Sequence, residues 1–212
     1  MLICSAVPSS EEDRDHILKA GRCTSLILVE YGGQVMCGTA FFVDGGILIT
    51  AGHVVRNATK PGARIISSIP GKKFVEVSKL RTGQTKGLRC KVKESLFHLK
   101  NREYDIAILE CGLFYSNYLT ICQDELTKGT VVDVIGYPGA VREDWFTNHQ
   151  AELDNADTSK LLAEKLLPPS TLMVSRGEVL SSTRTHVTYY LSSVEGMSGA
   201  SATLKDGKAY GS

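Results

Sequence analysis

From Thr24 onward the apolar residues of this chain come in short, β-rich runs, each stopped by a glycine or proline signal. Thr24 to Tyr31 ends at Gly32-Gly33. Gln34 to Val43 ends at Asp44-Gly45-Gly46, a sequence suited to a tight hairpin turn, and Ile47 to Thr50 follows as a third run. Ala63 to Ile69, Phe74 to Val77, Leu88 to Phe97 and Asp105 to Glu110 predict further strands. Pro61-Gly62, Pro70-Gly71 and the Lys/Arg/Gly-rich Lys79 to Gly87 lie between them. A second β-rich block opens near Gly129 with Thr130 to Ile135, closed by Gly136-Tyr137-Pro138-Gly139. Leu172 to Ser182 with His186 to Leu191 predicts one hairpin. Ala202 to Leu204 with Lys208 to Tyr210, around Lys205-Asp206-Gly207, predicts another.

Helical spacing is confined to two places. Ser10 followed by Asp13 can cap a short helix in an N-terminal extension, residues 1–20, that packs across a barrel end or stays mobile. Leucines over Ser159 to Leu167, stopped by Pro168-Pro169, predict a short helix inside an insertion at 141–170. Short strands with frequent turns make this an all-β protein, antiparallel and barrel- or sandwich-like. Two β blocks of comparable size suggest two barrels, over 21–115 and 116–212.

Composition narrows the function classes. The chain has 212 residues, 42% hydrophobic and 22% charged, with a formal net charge of +1. That is ordinary for a globular protein, and no basic excess points to nucleic acid. No apolar run approaches the roughly 20 residues needed to span a bilayer. The apolar start Met1 to Val7 lacks a basic leader and is cut off by Pro8 and Glu11-Glu12-Asp13, so it reads as no secretory signal, and an intracellular location is expected. The six cysteines, Cys4, Cys23, Cys37, Cys90, Cys111 and Cys122, form no C-x-x-C pair, and free, mostly buried thiols are expected.

Three residues carry candidate chemistry. Ser198 lies in Gly196-Met197-Ser198-Gly199, His53 follows the run ending Thr50-Ala51-Gly52, and Asp105 heads Ile106-Ala107-Ile108-Leu109. A serine hydroxyl needs a base within hydrogen-bond reach. An imidazole can be that base, and a carboxylate buried at a strand start can orient the imidazole. Each alone has an ordinary reading: a loop turn, a core histidine, a strand-initiating aspartate. His16, His98, His149 and His186 keep the ordinary reading. The order His, Asp, Ser excludes an α/β-hydrolase, in which the serine precedes the acid and the histidine.

Taken together, Gly38-Thr39-Ala40-Phe41-Phe42, Leu48-Ile49-Thr50-Ala51-Gly52-His53-Val54, Asp105-Ile106-Ala107-Ile108-Leu109, Gly136-Tyr137-Pro138-Gly139 and Gly196-Met197-Ser198-Gly199-Ala200 resemble the trypsin-like (chymotrypsin-fold) serine peptidases. The nearer resemblance is to their HtrA-like and glutamyl-endopeptidase-like branches. The resemblance implies two antiparallel six-stranded barrels with a cleft between them, and peptide-bond hydrolysis of a polypeptide substrate through an acyl-enzyme on Ser198. It further implies His53 as general base, Asp105 as its orienting acid, the N–H groups of Gly196 and Ser198 as the oxyanion hole, and no metal or organic cofactor. By the same pattern Ser192 lies at the base of the specificity pocket and Glu195 near its rim. A neutral Ser192 argues against a preference for Lys or Arg at P1.

The chain also departs from the pattern. Cys37 stands where secreted members begin a disulfide, but Val54 stands where its partner belongs. Met197 replaces the aspartate of the zymogen-activated branch. The chain stops at Gly211-Ser212, part way into a hairpin of the second barrel, so an incomplete second barrel is expected. That leaves a second functional reading, a catalytically impaired peptidase-like binding module.

Overall fold

The computed structural model describes residues 2–4, 11–70, 87–96, 104–123, 125–138, 172–183, 186–191, 197–204, 206 and 208–211. The strand expected over Phe74 to Val77 and the insertion 141–170 with its helix lie outside the described residues. The described elements are β1 (Leu2–Cys4), α1 (Glu11–Gly21), β2 (Thr24–Tyr31), β3 (Gln34–Asp44), β4 (Ile47–Thr50), a 3-10 turn (Gly52–Val55), β5 (Arg64–Ser67), β6 (Leu88–Ser95), β7 (Ala107–Cys111), β8 (Thr120–Ile121), β9 (Val131–Gly136), β10 (Leu172–Ser182), β11 (Val187–Tyr190), β12 (Ser201–Thr203) and β13 (Lys208–Gly211).

Six strands close an antiparallel barrel in the order β2-β3-β4-β7-β6-β5. Its first hairpin turns on Gly32 and Gly33, both at positive φ (58° and 77°), the conformation that a two-residue turn between twisted strands demands. Alternation then sorts the side chains of β2 and β3. Ile27, Val29, Ala40 and Phe42 fill the barrel interior with Leu48, Val54 and Leu109. The intervening residues point outward and are still covered. Leu26 and Leu28 pack with Ile66 and Tyr137, and Phe41 packs with Ile17, Leu119, Ile135 and Val174. Phe41 and Phe42 are both fully buried, on opposite faces of one strand. Each contributes roughly 1.5–3 kcal/mol of hydrophobic stabilisation, so β3 anchors the barrel core and the contact with the second sheet together.

Among the described residues the second sheet has seven strands, ordered β1-β10-β9-β12-β13-β8, with β11 also on β10, and it does not close. It departs from the expected purely antiparallel plan in two pairs. β1 runs parallel to β10 (Leu2 opposite Leu172), and β13 runs parallel to β8 (Lys208 opposite Thr120). α1 lies against β9, burying Ile17 and Ala20. Leu126, Val132, Val134, Met173, Val179, Met197, Ala200 and Ala202 gather into one buried cluster. No helix among the described residues is long and apolar enough to cross a membrane.

Candidate active site

His53 is delivered by the end of β4. Ala51, extended at φ −69° and ψ 138°, stops the strand, and Gly52–Val55 turns as a 3-10 helix. Val54 and Val55 are buried in the barrel core and pin that turn. A Cβ at residue 38 would stand 2.6 Å from Val54 Cγ1, so only glycine at 38 leaves room for the anchor. The imidazole is left at the rim, its side chain 38% exposed.

Asp105 reaches the same rim from the segment before β7. Gly52 N–H donates to Asp105 O at 3.1 Å, and His53 N–H donates to Asp105 Oδ1 at 2.7 Å. The ring Nδ1 meets Oδ2 at 2.5 Å. An ionised carboxylate only accepts, so Nδ1 is the donor of this bond, and in the neutral ring that tautomer leaves the lone pair on Nε2. Both carboxylate oxygens are thus held by the one residue they orient. The expected burial of this carboxylate does not occur: its side chain is 41% exposed. Asp105 precedes β7 instead of lying within it, so hydrogen bonds fix it rather than enclosure.

Ser198 sits in the turn before β12. Ala200 N–H donates to Met197 O at 2.8 Å, closing the turn, and Thr39 N–H donates to Ser198 O at 2.8 Å, tying it to β3. Gly199 has φ +84°. A Cβ there would collide with Thr39 O and Thr50 Oγ1 and stand 2.7 Å from Ala51 N. Thr39 is the joint of the assembly. Its carbonyl accepts from Thr50 Oγ1 at 2.6 Å, and its hydroxyl accepts from Tyr137 N–H at 2.9 Å. In the sequence Thr39 and Thr50 stand inside the matched motifs with no role of their own. The available signal was a hydroxyl inside each of two apolar runs, where burial demands a partner.

His53, Asp105 and Ser198 line one cleft of about 400 Å³. Ala51 completes the first-barrel wall and Met197, Gly199 and Ala200 the opposite one, while Val134, Tyr189 and Leu191 make its floor apolar. Among the described residues no hydrogen bond joins Ser198 Oγ to the imidazole. Gly196, Ser192 and Glu195 lie outside the described residues, as do His98 and His149. Among the described residues no three His, Cys, Asp or Glu side chains gather as metal ligands.

The family described as Trypsin-like peptidase domain matches residues 38–211. No curated protein matches the chain. Among solved structures, the Rv3671c protease from M. tuberculosis in an inactive form aligns with a TM-score of 0.61 at 14% identity, covering 96% of this chain and 83% of that one. Deg5 aligns at 0.63 and 14%, covering 96% and 84%. The serine endoprotease from Yersinia pestis aligns at 0.62 and 16%, covering 96% of this chain and 57% of that one. At such identities these likenesses establish the fold.

Proposed function

Because the chain belongs to the trypsin-like peptidase domain family, we propose that it is a serine endopeptidase in which Ser198 attacks, His53 accepts the proton and Asp105 orients the ring. The observation that carries this reading is the paired hold of Asp105 on His53, at 2.7 and 2.5 Å, on the wall facing Ser198 across one cleft. Nε2, free of the carboxylate, draws the proton from Ser198 Oγ as that oxygen bonds to the substrate carbonyl carbon. Asp105 stabilises the resulting imidazolium, which then protonates the leaving amine. Water repeats the sequence on the acyl-enzyme and releases Ser198. The N–H groups of Ser198 and Gly196 receive the developing oxyanion. Contact between Oγ and Nε2 forms as substrate settles, since such bonds tighten in the substrate complex.

The apolar lining by Val134, Tyr189, Leu191 and Met197 supports a P1 side chain without charge, in line with a neutral Ser192. A fluorophosphonate probe tests the chemistry. Labelling of the folded chain that disappears in Ser198→Ala supports the peptidase. Absence of labelling in protein that unfolds cooperatively transfers the reading to a binding module, which the sheet left open among the described residues favours. Exclusive cleavage after Lys or Arg in a peptide library would overturn the P1 assignment.

A further inference from the structure

The first barrel holds a second pair of chemically active side chains that the proposed reaction leaves unused. Cys90 on β6 and Cys111 on β7 stand directly opposite each other in the ladder. Both are buried in the barrel core, 7% and 4% exposed, and both are free thiols. The backbone fixes what kind of pair they make. Cys111 N–H donates to Gly46 O at 3.0 Å, toward the β4 side and away from β6. In an antiparallel ladder the N–H and C=O of one residue point the same way, so Cys90 and Cys111 form a non-hydrogen-bonded pair. Such pairs bring the Cα atoms to about 4.5 Å, within the roughly 4.4–6.8 Å that a disulfide spans. The Cys90 thiol donates to Leu88 O at 3.7 Å and the Cys111 thiol to Gly46 O at 3.3 Å, so each proton is parked on a backbone carbonyl beside the facing sulfur.

We propose that Cys90 and Cys111 are a modification site, a dithiol that a peroxide converts reversibly into an intramolecular disulfide. The Cys111 thiolate attacks one peroxide oxygen. The O–O bond breaks, Cys111 becomes a sulfenic acid, and the released hydroxide takes a proton and leaves as water. The Cys90 sulfur then attacks the Cys111 sulfur, the S–S bond forms, the S–O bond breaks, and the Cys90 proton leaves with the hydroxide as a second water. Two thiols are oxidised and one peroxide is reduced to two waters. The facing Cys90 thiol draws the Cys111 thiol below its ordinary pKa, which favours Cys111 as the attacking sulfur. The Cys111 sulfur beside it, with burial, raises Cys90 and keeps it protonated until it resolves the sulfenic acid. Burial also selects the oxidant. A peroxide is small enough to enter through breathing of the barrel, whereas a bulky aromatic disulfide is not. The ring so closed, residues 90–111, contains Asp105, so oxidation staples the hairpin that carries the candidate orienting acid.

The test treats the whole protein with hydrogen peroxide, blocks remaining thiols under acid denaturation, and maps peptides without reduction. The expected result is a Cys90–Cys111 linked peptide, absent after dithiothreitol and not produced by the aromatic disulfide reagent. Oxidation should also raise Tm by roughly 5–10 °C, reversibly, through loss of unfolded-chain freedom. Cys90→Ala and Cys111→Ala should each abolish that rise. The peptide map needs no variant, so it decides the question even where a substitution prevents folding. Recovery of both cysteines as blocked thiols at a peroxide dose that oxidises Cys37 would overturn the proposal. So would linkage of either one to a different cysteine.

Discussion

Gly199→Ala should damage stability and nucleophile placement together, by an amount the structure lets us estimate. Residue 199 has φ +84°, where an L side chain costs roughly 1–2 kcal/mol. The added methyl would also press on Thr39 O, Thr50 Oγ1 and Ala51 N, all part of β3 or the end of β4. Overpacking against such neighbours costs roughly 1–3 kcal/mol. The sum, about 2–5 kcal/mol, corresponds to a fall of about 1–2.5 M in the urea midpoint at a slope of about 2 kcal/mol/M. Gly62→Ala is the control. It shares the positive φ, at 81°, but has open space around it, so it should lose only the backbone part, roughly 1–2 kcal/mol. Relief of the collision moves the Ser198 turn away from Thr39, and a shift of about 1 Å costs on the order of 10²-fold in rate. Urea unfolding and fluorophosphonate labelling rates read the two effects. An unchanged midpoint and labelling rate in Gly199→Ala, or a larger loss in Gly62→Ala, would refute the argument.

Asp133→Asn should remove roughly 3–5 kcal/mol, because Asp133 is 2% exposed and its carboxylate is held by Arg176 at 2.9 and 2.8 Å; urea unfolding measures it. Burial pushes the Asp133 carboxyl up, but hydrogen bonds from His16 and Arg176 outweigh it and leave the carboxyl below its usual range. A folded pKa below the unfolded one gives stability that is present above about pH 4 and lost as pH falls through the folded value. The wild type should therefore lose more stability than Asp133→Asn on acidification below pH ~4, and parallel losses would count against it. Thr39→Val leaves Tyr137 N–H without its 2.9 Å partner and should cost about 1–3 kcal/mol by thermal or urea unfolding. Asp105→Asn should lower kcat on the order of 10⁴-fold with the fold intact, since an amide in place of the acceptor favours the wrong ring tautomer. Near-normal turnover would remove Asp105 from its proposed role.

Strands in both sheets are legible because their limits are written in local chemistry. β2, β4 and β10 span the expected residues, each bounded by turn residues or by a break in the apolar pattern. β1 and β8 were not legible. Two or three residues carry no periodicity of their own, and their strand state comes from partners β10 and β13, far along the chain. The convergence of His53, Asp105 and Ser198 on one cleft followed from combining three short motifs, but the exposure of Asp105 did not, since motif context cannot tell enclosure from hydrogen bonding. His16 was read as an ordinary histidine, yet it is buried 3.5 Å from Asp133. The clue lay in two charges inside apolar strands, Asp133 in β9 and Arg176 in β10, which pair in register across the ladder. An apolar strand tolerates a charge only when another element neutralises it, and sequence spacing does not reveal that partner.

The closed barrel has a temporal consequence. Its six strands all lie within residues 24–111, so a ribosome can release a complete, edge-free unit while the rest of the chain is still unmade. β1, by contrast, waits for Leu172–Val174, and the hydroxyl of Ser198 emerges later still. The nascent polypeptide thus acquires His53 and Asp105, the proposed base and acid, long before Ser198, the proposed nucleophile, so the cleft that joins the three cannot form while the first barrel alone has emerged.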